Sequence, residues 1–267
     1  MHVHFLDPHR PGSSLIHRLD PRVKLTLALA FILTCALTSP TAWPVYILLF
    51  ALILSMEVLS ELGVGYVLKR AVLAFPFVLA AFPVIFTTPG VPWFEIPFFG
   101  WTLTISQAGV ARFINIALKS WLSIQAAILL TASTPFPDLL MAMRAIHVPR
   151  LLVAIVGLMW RYLFVLVDEA LRLLRARAAR SGHTDFPSAR PGGSLAWRAH
   201  IAGGMAGNLF LRAFERSDRI YVAMLARGYD GEVRATPLPV FGTKNRLILV
   251  AGLAALGILL LTAFLLG

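Results

Sequence analysis

The stretch Arg150–Ser181, "RLLVAIVGLMWRYLFVLVDEALRLLRARAARS", decides how this chain is arranged. Its first part, Leu151–Val167, is an apolar run approaching the about 20 residues a helix needs to cross roughly 30 Å of hydrocarbon. Its second part carries Arg172, Arg175, Arg177 and Arg180. Arg161 lies near the middle of the apolar part, where a charged side chain costs about 2.5–3.5 kcal/mol on insertion scales. The pattern predicts a single long helix that packs beneath or within a membrane bundle and slants out into the cytoplasm. At 1.5 Å per residue such a helix extends about 45 Å.

The rest of the chain supplies the bundle. Of 267 residues, 58% are hydrophobic and only 14% charged, which excludes a soluble globule. Further apolar runs lie at Leu25–Leu37, Val45–Leu54, Ala71–Phe86, Gly109–Ala132 and Leu247–Leu266. Charge placement orients them. Between Thr134 and Arg246 stand 16 of the 24 Lys and Arg against 8 acidic residues, so this segment belongs in the cytoplasm. Arg10, Arg18, Arg22 and Lys24 put the amino terminus there too, whereas "TTPGVPWFEIPFFGWT" at Thr87–Thr102 has no Lys or Arg and carries Trp93 and Trp101 for an external interface.

Four crossings connect these markers, roughly 23–39, 42–57, 70–88 and 103–132, with turns at Ser39-Pro40 and Lys69-Arg70. The chain is then back inside, and the basic segment must also be inside, so Leu151–Val167 cannot cross alone. The expected class is an all-α integral membrane protein of about five transmembrane helices with a cytoplasmic or interfacial helical domain. Its divisions are an amino-terminal cytoplasmic segment (1–22), a four-helix membrane region (23–133), a coupling domain (134–245) and a last crossing (246–267). A multi-pass membrane protein with a cytoplasmic amino terminus follows. The amino terminus has no apolar stretch before its Pro, Gly and Ser residues, which predicts no cleavable signal peptide. Cys35 is the only cysteine, which excludes an intrachain disulfide.

A second cytoplasmic helix is predicted near Leu209–Arg227, with Phe210, Phe214, Tyr221 and Leu225 at helical spacing among Arg212, Glu215, Arg216 and Arg219. Gly228 suits the left-handed position that ends a helix. A Gly, Pro and Ser linker, "SGHTDFPSARPGGS", separates the two helices. Both finish alike, with Ala179-Arg180-Ser181 and with Ala226-Arg227-Gly228. An Arg between small residues at a helix end can approach another protein closely and offer a two-point fork to a carboxylate. It can equally complement the helix dipole or meet lipid phosphates.

Four segments together resemble one family: "HRLDPRVKL" at His17–Leu25, "TPFPDLLMAMRAIHVPRLL" at Thr134–Leu152, "RYLFVLVDEALRLLRARAARS" at Arg161–Ser181 and "YVAMLARGYDG" at Tyr221–Gly231. They are similar to the transmembrane T component of energy-coupling factor transporters, in particular the CbiQ-like cobalt or nickel type. The resemblance implies that Arg180 and Arg227 contact two ABC ATPase subunits, or a homodimer of one. It also implies a separate membrane subunit that captures the substrate, a place in the cytoplasmic (inner) membrane of a prokaryote, and a chain that is itself no enzyme. "PFPDLL" would help carry coupling-helix movement to that capture subunit. Ser181 stands where the fuller motif has Gly, and Ser is small enough to keep the close approach. Cobalt or nickel is the implied cargo, with vitamin-type capture subunits as the alternative.

Other residues carry weaker signals. Arg112, Asn115, Lys119 and Ser123 share one face of the fourth crossing and form either a polar seam against other helices or the lining of a substrate path. His2, His4 and His9 invite a metal because imidazole suits cobalt and nickel, but no carboxylate or Cys framework accompanies them, so no metal site or cofactor is expected. His147 and His183 read as helix-end or linker residues. No "GxxxxGK[ST]" phosphate loop is present. A membrane enzyme acting on a lipid would need clustered acids, yet Asp138, Asp168 and Glu169 are dispersed. A self-sufficient secondary transporter would carry inverted repeats, and none is visible. The +11 charge follows the membrane's cytoplasmic side and needs no nucleic acid.

Overall fold

The computed structural model describes residues 8–72, 75–98, 101–180, 194–231 and 240–266. Ser181, the linker as far as 193, His2, His4 and His183 lie outside the described residues. The chain divides into two compact units, one built on Asp7–Ile146 with Pro237–Gly267, the other on His147–Thr236.

The first unit opens with a short helix, α1 (Leu15–Arg18), and then α2 (Pro21–Leu37). Asp20 starts α2 by accepting the Arg22 N–H at 2.9 Å, while Pro21 occupies the first helical position, where a missing N–H is harmless. Thr38 ends α2 and α3 (Trp43–Leu59) follows, so the turn expected at Ser39-Pro40 is present. With 17 residues each, α2 and α3 rise about 25 Å, a little under the hydrocarbon thickness.

The third expected crossing is not one helix. Residues 70–88 contribute to α4 (Val64–Ala71), α5 (Phe75–Leu79) and α6 (Val84–Thr87), and Lys69-Arg70 lies inside α4 instead of at a turn. Pro76 and Pro83 supply the reason. A proline has no N–H for the helix ladder and collides with the turn before it, and Pro83 stands as the residue that starts α6. The segment assigned to an external loop also holds structure: β1 (Pro92–Phe98) pairs antiparallel with β2 (Trp101–Ser106), Glu95 opposite Thr104 and Phe98 opposite Trp101. Aromatic and β-branched residues in both stretches favour this pairing.

Directly after β2 comes α7 (Gln107–Ser133), begun by Ser106, whose hydroxyl oxygen accepts the Gly109 N–H at 2.9 Å and donates to the Thr88 carbonyl at 2.7 Å. Gly109 has no room for a side chain, since a Cβ there would stand 2.5 Å from the Ile85 carbonyl oxygen. This is where α6 meets α7. The unit closes with α8 (Phe136–Ala145) and α11 (Thr243–Leu266). Phe31, Cys35, Leu49, Ile53, Leu122 and Leu256 form its core, at the meeting of α2, α3, α7 and α11.

The second unit consists of α9 (Arg150–Arg180) and α10 (Leu195–Ala226). The first helix covers the predicted stretch as far as Arg180. The second is longer than expected, beginning at Leu195, because Ser194 caps it by accepting the Trp197 N–H at 3.2 Å. By length and composition α7, α9 and α11 are each apolar enough to cross a membrane, and α3 is a shorter apolar helix. The all-α membrane class therefore holds, with one small antiparallel strand pair added to it.

Candidate coupling site

The two helix-end motifs belong to the second unit. Ala179 and Arg180 are exposed in the last turn of α9. At the other motif, Ala226 is the last helical residue, Arg227 caps it, and Gly228 takes φ +77°. The Tyr229 N–H reaches the Met224 carbonyl at 3.0 Å and the Gly228 N–H reaches that of Leu225 at 2.9 Å. These two bonds make a Schellman stop. It satisfies the last carbonyls and turns the chain sharply, so Arg227 projects from a rigid corner. Gly228 is there for its backbone, because nothing lies within 4 Å of where a Cβ would stand.

Among the described residues neither Arg180 nor Arg227 has an ion-pair partner within the chain. Both are exposed, as are Val222 and Leu225 on the last turns of α10. Two exposed guanidinium forks, that of Arg227 on a helix end with bare apolar residues, suit contact with another protein, where an Arg can pair with a carboxylate at two points. No residue of α10 is buried, and Phe210, Phe214 and Tyr221 expose 68%, 59% and 55% of their surface.

Tying the two helices together is Glu169, just past the apolar run of α9. Its carboxylate accepts from Arg212 at 3.2 Å and from Arg216 at 3.2 Å, one oxygen to each. The Arg212 hydrogen bond, helped by the charges of Arg216 and Arg172, holds this carboxyl below the usual carboxylate range. Beside the clasp runs a groove of about 360 Å³ lined by Leu158, Met159, Tyr162, Ile220, Tyr221 and Met224. Sequence reading missed the clasp. Its signal is Arg212 and Arg216 one turn apart, facing an acid that ends an apolar run, but pairing them requires knowing that the helices meet.

The polar seam of α7 lies in the first unit. Lys119 donates to the Ala36 carbonyl at 2.9 Å, in the last turn of α2, where a cation complements exposed helix carbonyls. Asn115 is buried and donates to Ala111 at 3.0 Å, Ser123 is half-buried, and Arg112 is exposed. The structure thus spreads these four residues over different environments. At the opposite end of α2, Lys24 donates to the Ser133 carbonyl at 3.0 Å, closing α2 against the end of α7. His147, with φ +66°, follows the cap of α8. Among the described residues no three His, Cys, Asp or Glu gather where they could hold a metal.

The sequence profile of the CbiQ family, described as cobalt transport protein, matches residues 12–237. The energy-coupling factor transporter transmembrane protein EcfT of Brevibacillus brevis is 32% identical over 240 residues, covering 85% of both chains. The protein of the same name from Lacticaseibacillus paracasei is 29% identical over 266 residues, covering 96% of this chain and 95% of that one. The cobalt transport protein CbiQ of Salmonella typhimurium is 32% identical over 128 residues, or 48% of this chain and 53% of that one.

Proposed function

Because this chain belongs to the CbiQ family of cobalt transport proteins, we propose that it is the membrane coupling subunit of an energy-coupling factor importer. It carries ATP-driven motion from two ATPase subunits to a separate membrane subunit that captures the substrate. The observation that carries this reading is the pair of exposed helix-end arginines, Arg180 and Arg227, without ion-pair partners among the described residues, in a chain with no phosphate loop of its own. Glu169, Arg212 and Arg216 then make α9 and α10 move together, so that a push on either motif shifts both helices. The cargo is cobalt or nickel ion. Cobalt is favoured by the family's description. The relatives named EcfT carry no cargo in their name, which keeps open a second reading with a vitamin-type capture subunit.

Purification of the full chain in mild detergent should bring down two ATPase subunits and a small membrane protein, identified by mass spectrometry. Cells expressing the set should accumulate cobalt in an ATP-dependent way. Recovery of the chain without any ATPase would reject the assignment, whereas uptake of a nutrient other than metal would keep the coupling role and replace the cargo.

The orientation proposed is an amino terminus and a second unit on the cytoplasmic side, with the strand pair outside. Val91 is 72% exposed beside β1 and Leu195 is 84% exposed at the start of α10. Single cysteines at these two positions, in a Cys35→Ala background, should react with membrane-impermeant reagents from opposite sides. Labelling of Leu195→Cys from outside would mean that α9 crosses the bilayer, as its length permits, and the parity argument would fail.

A further inference from the structure

Arg10 and Arg70 come from segments 60 residues apart and meet on one aromatic ring. The Arg10 guanidinium carbon stands 3.8 Å from the centre of the Tyr66 ring, and that of Arg70 stands 4.8 Å from it. The two cations are therefore within about 9 Å of each other. Among the described residues neither forms an ion pair or has a further side-chain partner. Glu61, whose charge is felt at His17, pairs with neither. Like charges this close repel, while the ring's negative face attracts each of them and covers the guanidinium faces. Both arginines are exposed, so they can still meet a ligand from outside the chain.

Arg10 is also held on both sides by backbone bonds. Its N–H donates to the Ala132 carbonyl at 2.9 Å, and its own carbonyl accepts from His17 Nε2 at 3.1 Å, while Ser14 Oγ sits 2.6 Å from His17 Nδ1. With Nε2 donating, Nδ1 accepts the Ser14 hydroxyl, which is a neutral imidazole. Desolvation lowers the His17 pKa and favours the same form. The amino-terminal segment is thus fastened across the end of α7, and the arginine is presented from a fixed backbone.

We propose that Arg10 and Arg70, gathered on Tyr66, bind the phosphate of an anionic phospholipid headgroup. Guanidinium forks match phosphate oxygens at two points each, and an anion contacted by both arginines relieves their repulsion. The depth of the site selects a lipid. Ala132 lies in the last turn of α7, a helix of membrane-crossing length, so the arginines stand where that helix leaves the hydrocarbon. Shortly after Arg70 in the chain, Val72 and Phe75 expose 57% and 53% of their surface, apolar side chains suited to contact with acyl chains. A basic site at a helix-bundle edge, above exposed apolar residues, fits a headgroup with its chains below.

The test uses the full chain in nanodiscs of phosphatidylcholine containing a minor fraction of phosphatidylglycerol, with retained lipid counted by native mass spectrometry after extraction. The wild type should retain phosphatidylglycerol selectively, and Arg10→Ala with Arg70→Ala should lose about tenfold in its affinity. Tyr66→Phe, which keeps the ring, should retain the lipid, and Tyr66→Leu should weaken retention. Should the double Ala variant fail to fold, Arg10→Lys with Arg70→Lys keeps both charges without the planar fork, and should still lose most of the selectivity. Equal retention of the two lipids by the wild type, or retention unchanged in every arginine variant, overturns the proposal. Full displacement of the lipid by inorganic phosphate would reassign the site to a soluble phosphate and equally overturn it.

Discussion

Reversal of Arg227 to Glu, or of Arg180 to Glu, should leave the chain inserted in the membrane and abolish transport. Both side chains are exposed and unpaired among the described residues, so their loss removes no internal contact. The direct penalty within the chain is a carboxylate at a helix C-terminus, worth about 0.3–1 kcal/mol. Docking loses far more. In the proposed role, a partner carboxylate on the ATPase would lose its arginine and meet a like charge, at about 3–5 kcal/mol. The second effect wins, so folding survives and coupling does not. Each single reversal should be severe, because a stroke that moves two helices clasped by Glu169 needs both ATPases engaged. Lys at either position should rescue only in part, since an ammonium cannot reproduce a planar two-point contact. The measurements are co-purification of ATPase with each variant and metal uptake by cells. Wild-type recovery and wild-type uptake in both Glu variants would mean that the arginines serve lipid phosphates instead.

A second large effect is expected from a single methyl group. Gly109→Ala places a Cβ 2.5 Å from the Ile85 carbonyl oxygen and 2.9 Å from the Ser106 hydroxyl. The first obstacle is backbone, which cannot rotate away, and the second is the group that caps α7 and holds Thr88. Overpacking of this kind costs about 1–3 kcal/mol, and displacement of the cap adds about 1 kcal/mol. The melting temperature of the detergent-solubilised protein should fall, and should fall further for Gly109→Val. Gly228→Ala makes the contrast. No atom opposes the new Cβ there, and only the left-handed backbone at φ +77° resists, at about 1–2 kcal/mol confined to the end of α10. Its melting temperature should therefore move less than that of Gly109→Ala. Equal melting of Gly109→Ala and the wild type would show that α6 does not press on α7 as described.

Class and the main helices were legible in the sequence because they rest on local chemistry. A span requires an unbroken apolar run, and Gly228 marks the end of α10 through its own backbone preference, whereas the starts of α2 at Asp20-Pro21 and of α7 at Ser106 became visible only in the structure. The arginine-bearing ends of α9 and α10 were readable for the same reason. Where the reading failed, hydropathy and backbone chemistry disagreed. Ala71–Phe86 is apolar enough for a crossing, but Pro76 and Pro83 interrupt it, and hydropathy does not register a missing N–H. The first part of α10, Leu195–Asn208, was overlooked because Gly203, Gly204 and Gly207 weaken a helical pattern, although Ser194 starts a helix there.

Composition and the order of charges by themselves determined that this chain lives in a membrane, which segments are greasy enough to enter it, and which helix ends carry an arginine. These are properties of a residue and its near neighbours. The tertiary structure alone decided which distant groups share a place: Glu169 with Arg212 and Arg216, Lys24 with Ser133, Gly109 with Ile85, and Arg10 with Arg70 on Tyr66. The physical reason is range. Hydropathy and helix capping act over a turn or two of chain, whereas an ion pair, a steric clash or a stacked cation depends on a few ångströms of space that only packing brings together.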